Sequence, residues 1–226
     1  MDIRPSLFFL RDNGGLMSFV VNVKNALSLL LKGEWREFGL RLRVFLGQID
    51  LENVSTGELG LQDERSHEYS NSGGIHLVHV LNSLKITSQD AIIDLGSGKG
   101  GALITFSRYP FAKITGVELS SELVAIAEEN LRKLNISNIE MIIGDAADFT
   151  DLEEYNYFYF FNPFPGSIMK AVIANIESSL VKKPRKAIII YFNPEFHEIV
   201  VTDSIFAQID EFDHYRLRYY IYSNVH

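Results

Sequence analysis

The sequence predicts an α/β protein, a doubly wound and mostly parallel seven-stranded sheet closed by an antiparallel C-terminal hairpin, with a helical extension at its N-terminus. Three observations predict it. From about residue 87 onward, short apolar runs alternate with helical patterns, as in a parallel sheet with crossover helices. A glycine-rich turn separates the first of these runs from its helix. The last two strand patterns are joined by a loop too short for a helical crossover, so they pair antiparallel.

The elements follow in order. Ala91 to Leu95 reads as a buried strand, followed by a helix over residues 99–108 that stops near Tyr109 and Pro110. Lys113 to Glu118 is the second strand. Ser120, Ser121 and Glu122 open a helix to about Leu134, whose Leu123, Ile126, Ala127, Asn130, Leu131 and Leu134 share one face. Ile139 to Ile143 and Tyr157 to Phe161 are the third and fourth strands, and a helix runs from Gly166 to Leu180. Lys186 to Phe192 is the fifth strand, with a short helix after Pro194. Ile205 to Ile209 and Tyr215 to Tyr222 form the hairpin.

Upstream, residues 1–65 read as a helical arm and 66–226 as the main domain. In the arm, Trp35, Phe38, Leu42, Phe45, Leu46 and Ile49 recur at helical spacing, with Arg36, Arg41 and Arg43 among them. This face either packs on the main domain or, through residues 16–49, docks peripherally on anionic lipid. The apolar run Leu7 to Leu10 is too short for a secretory signal, and Gly15 to Leu31 is interrupted by Asn22, Lys24 and Asn25.

Composition narrows the chemistry. With 46% hydrophobic and 22% charged residues the 226-residue chain has a globular balance. A formal charge of −8 argues against non-specific nucleic-acid binding. The absence of cysteine excludes disulfides, thiolate metal sites and cysteine nucleophiles, and fits a reducing cytoplasm. Nothing in the sequence specifies an oligomeric state.

The sharpest motif is Asp94-Leu95-Gly96-Ser97-Gly98-Lys99-Gly100-Gly101, at the junction of a strand and a helix. Gly96, Gly98 and Gly101 also fit the dinucleotide fingerprint. That fingerprint offers a helix N-terminus to a pyrophosphate, which an acid at Asp94 would repel. S-adenosyl-L-methionine (SAM) has no phosphate and carries a sulfonium and an ammonium group, which Asp94 suits. Glu118, in Gly116-Val117-Glu118-Leu119, stands where a carboxylate meets ribose hydroxyls, and Asp145, in Gly144-Asp145-Ala146, follows the third strand. Three carboxylates thus end three consecutive strands.

Together these motifs resemble motifs I to III of the class I SAM-dependent methyltransferases, over residues 66–223. The resemblance implies that Asp94, Gly96, Ser97, Gly98 and Gly100 cradle the methionine part, that Glu118, beside Leu119, holds the ribose, and that Asp145 and Ala146 hold the adenine. In the family, a segment such as Glu64 to Gly74 often folds over SAM, which makes Tyr69 and Ser72 candidates. Asn162, Pro163 and Phe164 follow the fourth strand, where the fold faces the methyl group. Their order partly resembles the Asn-Pro-Pro-aromatic turn of amino-methylating enzymes and the Asn-x-Phe of seven-strand histone-lysine enzymes. Metal-dependent catechol-type methylation would want an aspartate where Asn162 stands.

A second turn, Asn193-Pro194-Glu195-Phe196-His197, makes His197 and Glu195 candidate general bases. His76 and His79 share a helical face without a third ligand, so no metal site is expected. The arm is loosely similar to those of bacterial polysaccharide-synthesis enzymes. The expected reaction is methyl transfer from SAM to an unidentified acceptor, with a small-molecule, sugar or lipid-linked hydroxyl first. Protein lysine or another amine comes next, then a non-catalytic SAM-binding subunit or an NAD oxidoreductase.

Overall fold

The computed structural model describes residues 28, 29, 31, 33–51, 71–161, 165–214 and 217–225. Its strands are β1 (Ala91–Leu95), β2 (Lys113–Glu118), β3 (Ile139–Ile143), β4 (Tyr157–Phe161), β5 (Ile188–Phe192), β6 (Ala207–His214) and β7 (Leu217–Ser223). They form one seven-stranded sheet in the order β3-β2-β1-β4-β5-β7-β6. The first five run parallel, while β7 is antiparallel to both β5 and β6.

Both faces of the sheet are covered, which is why β1 and β5 are buried at every position and read as continuous apolar runs. Helices α2 (Ile75–Ser83) and α3 (Gly101–Phe106) bring Leu77, Val80, Leu81, Leu103 and Phe106 onto the face carrying Ile92, Tyr157, Tyr159 and Ile190. Helix α4 (Ser121–Lys133) joins β2 to β3, its N-terminus capped by the Ser120 hydroxyl accepting from Leu123 N at 3.3 Å. On the other face, α5 (Gly166–Lys182) and α6 (His197–Thr202) place Met169, Val172, Ile173, Ile176 and Val200 against Ile93, Phe158, Phe160 and Tyr191.

Some boundaries differ from the sequence reading. The helix after β1 begins at Gly101 rather than 99, because Gly100 has φ +82° and cannot be helical. Strand β6 runs on to His214 through Asp210, Glu211 and Asp213, which are exposed. These acids blunt an edge strand against pairing with another chain, and they also hide its apolar alternation.

The arm supplies α1 (Trp35–Phe45), which does pack on the domain, but through Glu37, Leu40 and Val44. Most of the face expected to pack is turned outward: Trp35 is 67% and Phe45 52% exposed, with Leu42 and Leu46 also exposed, while Phe38 is half-buried and Ile49, beyond the helix, is buried. Buried Glu37 pairs with Arg108, just beyond the end of α3, and so brings the Glu37 side of the helix onto the domain. The expected domain boundary at 65/66 lies outside the described residues, as do residues 1–27, Tyr69, Asn162, Pro163 and Phe164.

Candidate functional site

The strand order reverses between β1 and β4, so the loops at their carboxyl ends diverge and leave a crevice, the usual ligand position in open α/β sheets. Because the five strands are parallel, Leu95, Glu118, Ile143, Phe161 and Phe192 all end at that edge.

The loop after β1 is shaped by its glycines. Gly96, Gly98 and Gly100 adopt φ of +89°, +52° and +82°, a region that side chains rarely occupy. The amides of Gly96 and Ser97 donate to the Val117 carbonyl at 2.9 and 3.0 Å, which ties the loop to β2. Its next turn points at Glu118: Gly98 N donates to one carboxylate oxygen and Ser120 N to the other, each at 2.9 Å. Burial pushes the Glu118 carboxyl up, and the backbone donors of Ser120 and Gly98 pull it back.

Asp94 is 2% exposed and pairs across the sheet with Gly116 and Tyr159. Burial, and secondarily the charge of Glu118, hold its carboxyl well above the usual carboxylate range. Among the described residues, no donor bonds this carboxylate. Tyr159 lies beside it and donates its hydroxyl to the Ser72 carbonyl at 3.3 Å. Ser72 is thus tied to β4 through its backbone carbonyl. The segment is locked from below by Gly74 N donating to Thr105 Oγ1 at 3.1 Å and by Gly73 N donating to Asn71 Oδ1 at 3.0 Å.

Not every expected residue turns inward. The Ser97 hydroxyl is buried without a hydrogen-bond partner, packed under the loop against Gly116. A β-carbon at Gly116 would stand 2.7 Å from it and 2.6 Å from Leu103 Cδ1. Gly116→Ala should therefore cost about 1–3 kcal/mol by overpacking, read as a lower urea midpoint at unchanged slope; a wild-type midpoint would show that the loop gives way freely. Asp145 folds back on its own turn, accepting from Ala147 N at 2.9 Å, while Ala146 is buried in the core behind it and Leu119 is half-buried.

His197 is not brought to Asp94. It sits on the opposite face with Nδ1 2.9 Å from the Tyr222 hydroxyl, and Tyr222 pairs with Ile189, well back from the carboxyl end of β5. Glu195 is exposed. What the sequence reading missed is Asn71, Thr105, Tyr159, Asp50 and Asn130. Only Asn130 carried a signal, as a polar residue on an otherwise apolar helix face.

Comparison with known proteins bears on the family and the fold. A family model described as "Methyltransferase domain" matches residues 86–213. The chain is 33% identical over 67 residues to a tRNA (guanine-N(7)-)-methyltransferase of Pediococcus pentosaceus, covering 29% of this chain and 32% of that protein. It is 26% identical over 86 residues to human EEF1A lysine methyltransferase 2, covering 34% of this chain and 36% of that one. The chain thus spans about a third of the length of each of these relatives. Among solved structures, an RNA methyltransferase from Salinibacter ruber in complex with S-adenosyl-L-homocysteine shares the fold, with a TM-score of 0.52, 16% identity, and coverage of 66% of this chain and 89% of that one.

Proposed function

We propose, given that this chain belongs to the methyltransferase domain family of class I SAM-dependent enzymes, that it transfers the methyl group of SAM to a small-molecule, sugar or lipid-linked hydroxyl. One observation carries the cofactor: a buried carboxylate, Asp94, meets no donor among the described residues and lies beside a second acid, Glu118. A buried carboxyl in that state is drawn to its ionised form by a cationic ligand, and the ionised form repels a phosphate. The left-handed glycines leave room for close backbone approach.

On this reading Asp94 takes the ammonium group of the methionine part, with Gly96, Ser97, Gly98 and Gly100 supplying the backbone wall. Glu118 keeps free lone pairs for ribose hydroxyls while its amide partners fix its orientation. Asp145 and Leu119, with the backbone of Ala146, border the adenine, and Tyr69 and Ser72 cover the cofactor. Asn162, Pro163 and Phe164 wall the acceptor side. SAM supplies an electrophilic methyl when bound, and the chain contributes positioning of the acceptor against it.

The hydroxyl reading draws on the overall charge of −8, which disfavours polyanionic acceptors, and on the outward face of α1, where Trp35, Leu42, Phe45 and Leu46 stand beside exposed Arg36 and Arg43. Among the described residues no helix is long and apolar enough to cross a membrane. The placement of His197 favours a second reading, an amine acceptor, because a neutral amine needs no general base and His197 is engaged with Tyr222. Labelled SAM incubated with the chain and fractionated cell extract separates these. Label in lipid or polysaccharide supports the hydroxyl reading, label in protein supports the amine, and label confined to RNA contradicts both.

A further inference from the structure

The arm reaches the glycine loop directly. Asp50 Oδ1 lies 2.6 Å from the Nζ of Lys99, whose side chain is only 3% exposed and which stands between Gly98 and Gly100. Asn130 of α4 completes the junction. Its Nδ2 donates to the Asp50 carbonyl at 2.7 Å and to the Lys99 carbonyl at 3.1 Å, and its Oδ1 accepts from Asp50 N at 2.9 Å. Ile49 and Leu51, on either side of Asp50, are buried against Ile104 and Leu131. The same loop turn carries the Gly98 amide that holds Glu118.

We infer that Asp50 is a positioning residue: acting through Lys99 and Asn130, the arm holds the loop over residues 96–100 in the shape that aims Gly98 at Glu118. The consequence for the cofactor rests on the SAM reading above. The hold itself does not. A charge pair whose ammonium is buried is costly to disturb, so the loop follows its partner in the arm. Asp50 lies outside the matched span 86–213, so a domain trimmed to that span lacks the clamp.

The test uses the full chain with Asp50→Asn, which keeps the backbone bonds to Asn130 and removes only the charge, and Asp50→Glu, which restores it. The Asp50 side chain is 49% exposed, so neither substitution disturbs a core. Amide hydrogen exchange at residues 97–101 is followed without ligand, and S-adenosyl-L-homocysteine affinity by calorimetry. Asp50→Asn should exchange about tenfold faster at these amides and bind about tenfold more weakly, with Asp50→Glu recovering both. Wild-type exchange in Asp50→Asn overturns the clamp. Faster exchange that Asp50→Glu does not recover also overturns it. Faster, rescued exchange in a chain that binds no S-adenosylhomocysteine upholds the clamp and removes the SAM reading instead.

Discussion

Asp94→Asn should stabilise the ligand-free chain while weakening its hold on SAM, two effects of opposite sign from one atom change. In the folded chain burial raises the Asp94 carboxyl well above its ordinary range, with Glu118 adding to it. A carboxyl raised on folding binds its proton more tightly folded than unfolded. Its contribution to stability is therefore full below the ordinary carboxylate range, about pH 4, and is lost as pH rises through the displaced value. Asparagine never pays that ionisation penalty. We expect a gain of about 1–2 kcal/mol at neutral pH, or ~2–8 °C in Tm. SAM favours the ionised form, so wild-type affinity should climb with pH across the same window. In Asp94→Asn it should be flat and lower by about 30-fold or more. Denaturation and calorimetry across pH check both. Lower ligand-free stability in the variant, or an unchanged affinity, would show that Asp94 faces something other than a cation.

Glu118→Ala should cause the largest loss of cofactor affinity, on the order of 100-fold for S-adenosylhomocysteine. The substitution removes the ribose acceptor and also leaves the amides of Gly98 and Ser120 without the carboxylate they bond at 2.9 Å. Charge-assisted bonds of this kind are worth roughly 1.5–3 kcal/mol each, so stability falls as well, in contrast to Asp94→Asn. Isothermal titration gives the affinity directly, and a wild-type Kd removes Glu118 from the cofactor site.

Much of this architecture was legible because the signals are local. Five parallel strands announce themselves as apolar runs bounded by turns, and β1 to β4 fall on the expected residues. The glycine loop was legible because left-handed backbone restricts which residues can follow Asp94. What escaped was set by contacts distant in sequence. Asp50 and Lys99 meet across 49 positions, and nothing near either residue marks the pairing. In α1 a buried acid, Glu37, finds Arg108 across 71 positions and packs on the domain, so hydrophobic periodicity did not show which side of the helix faces inward. Ser97 looked like a ligand residue in the motif, yet its hydroxyl packs against Gly116. His197 follows an Asn-Pro pair that repeats the Asn162-Pro163 sequence, but it is engaged with Tyr222 on the face away from Asp94.

Thermal denaturation of the full chain with SAM, S-adenosylhomocysteine or NAD puts the acid-rimmed crevice to its most direct trial. At about 100 times Kd, a bound ligand adds roughly 2.7 kcal/mol. Either adenosyl thioether ligand should therefore raise Tm by ~5–10 °C, and NAD should leave it where it was. Stabilisation by NAD, with neither SAM nor S-adenosylhomocysteine moving the midpoint, would contradict the account.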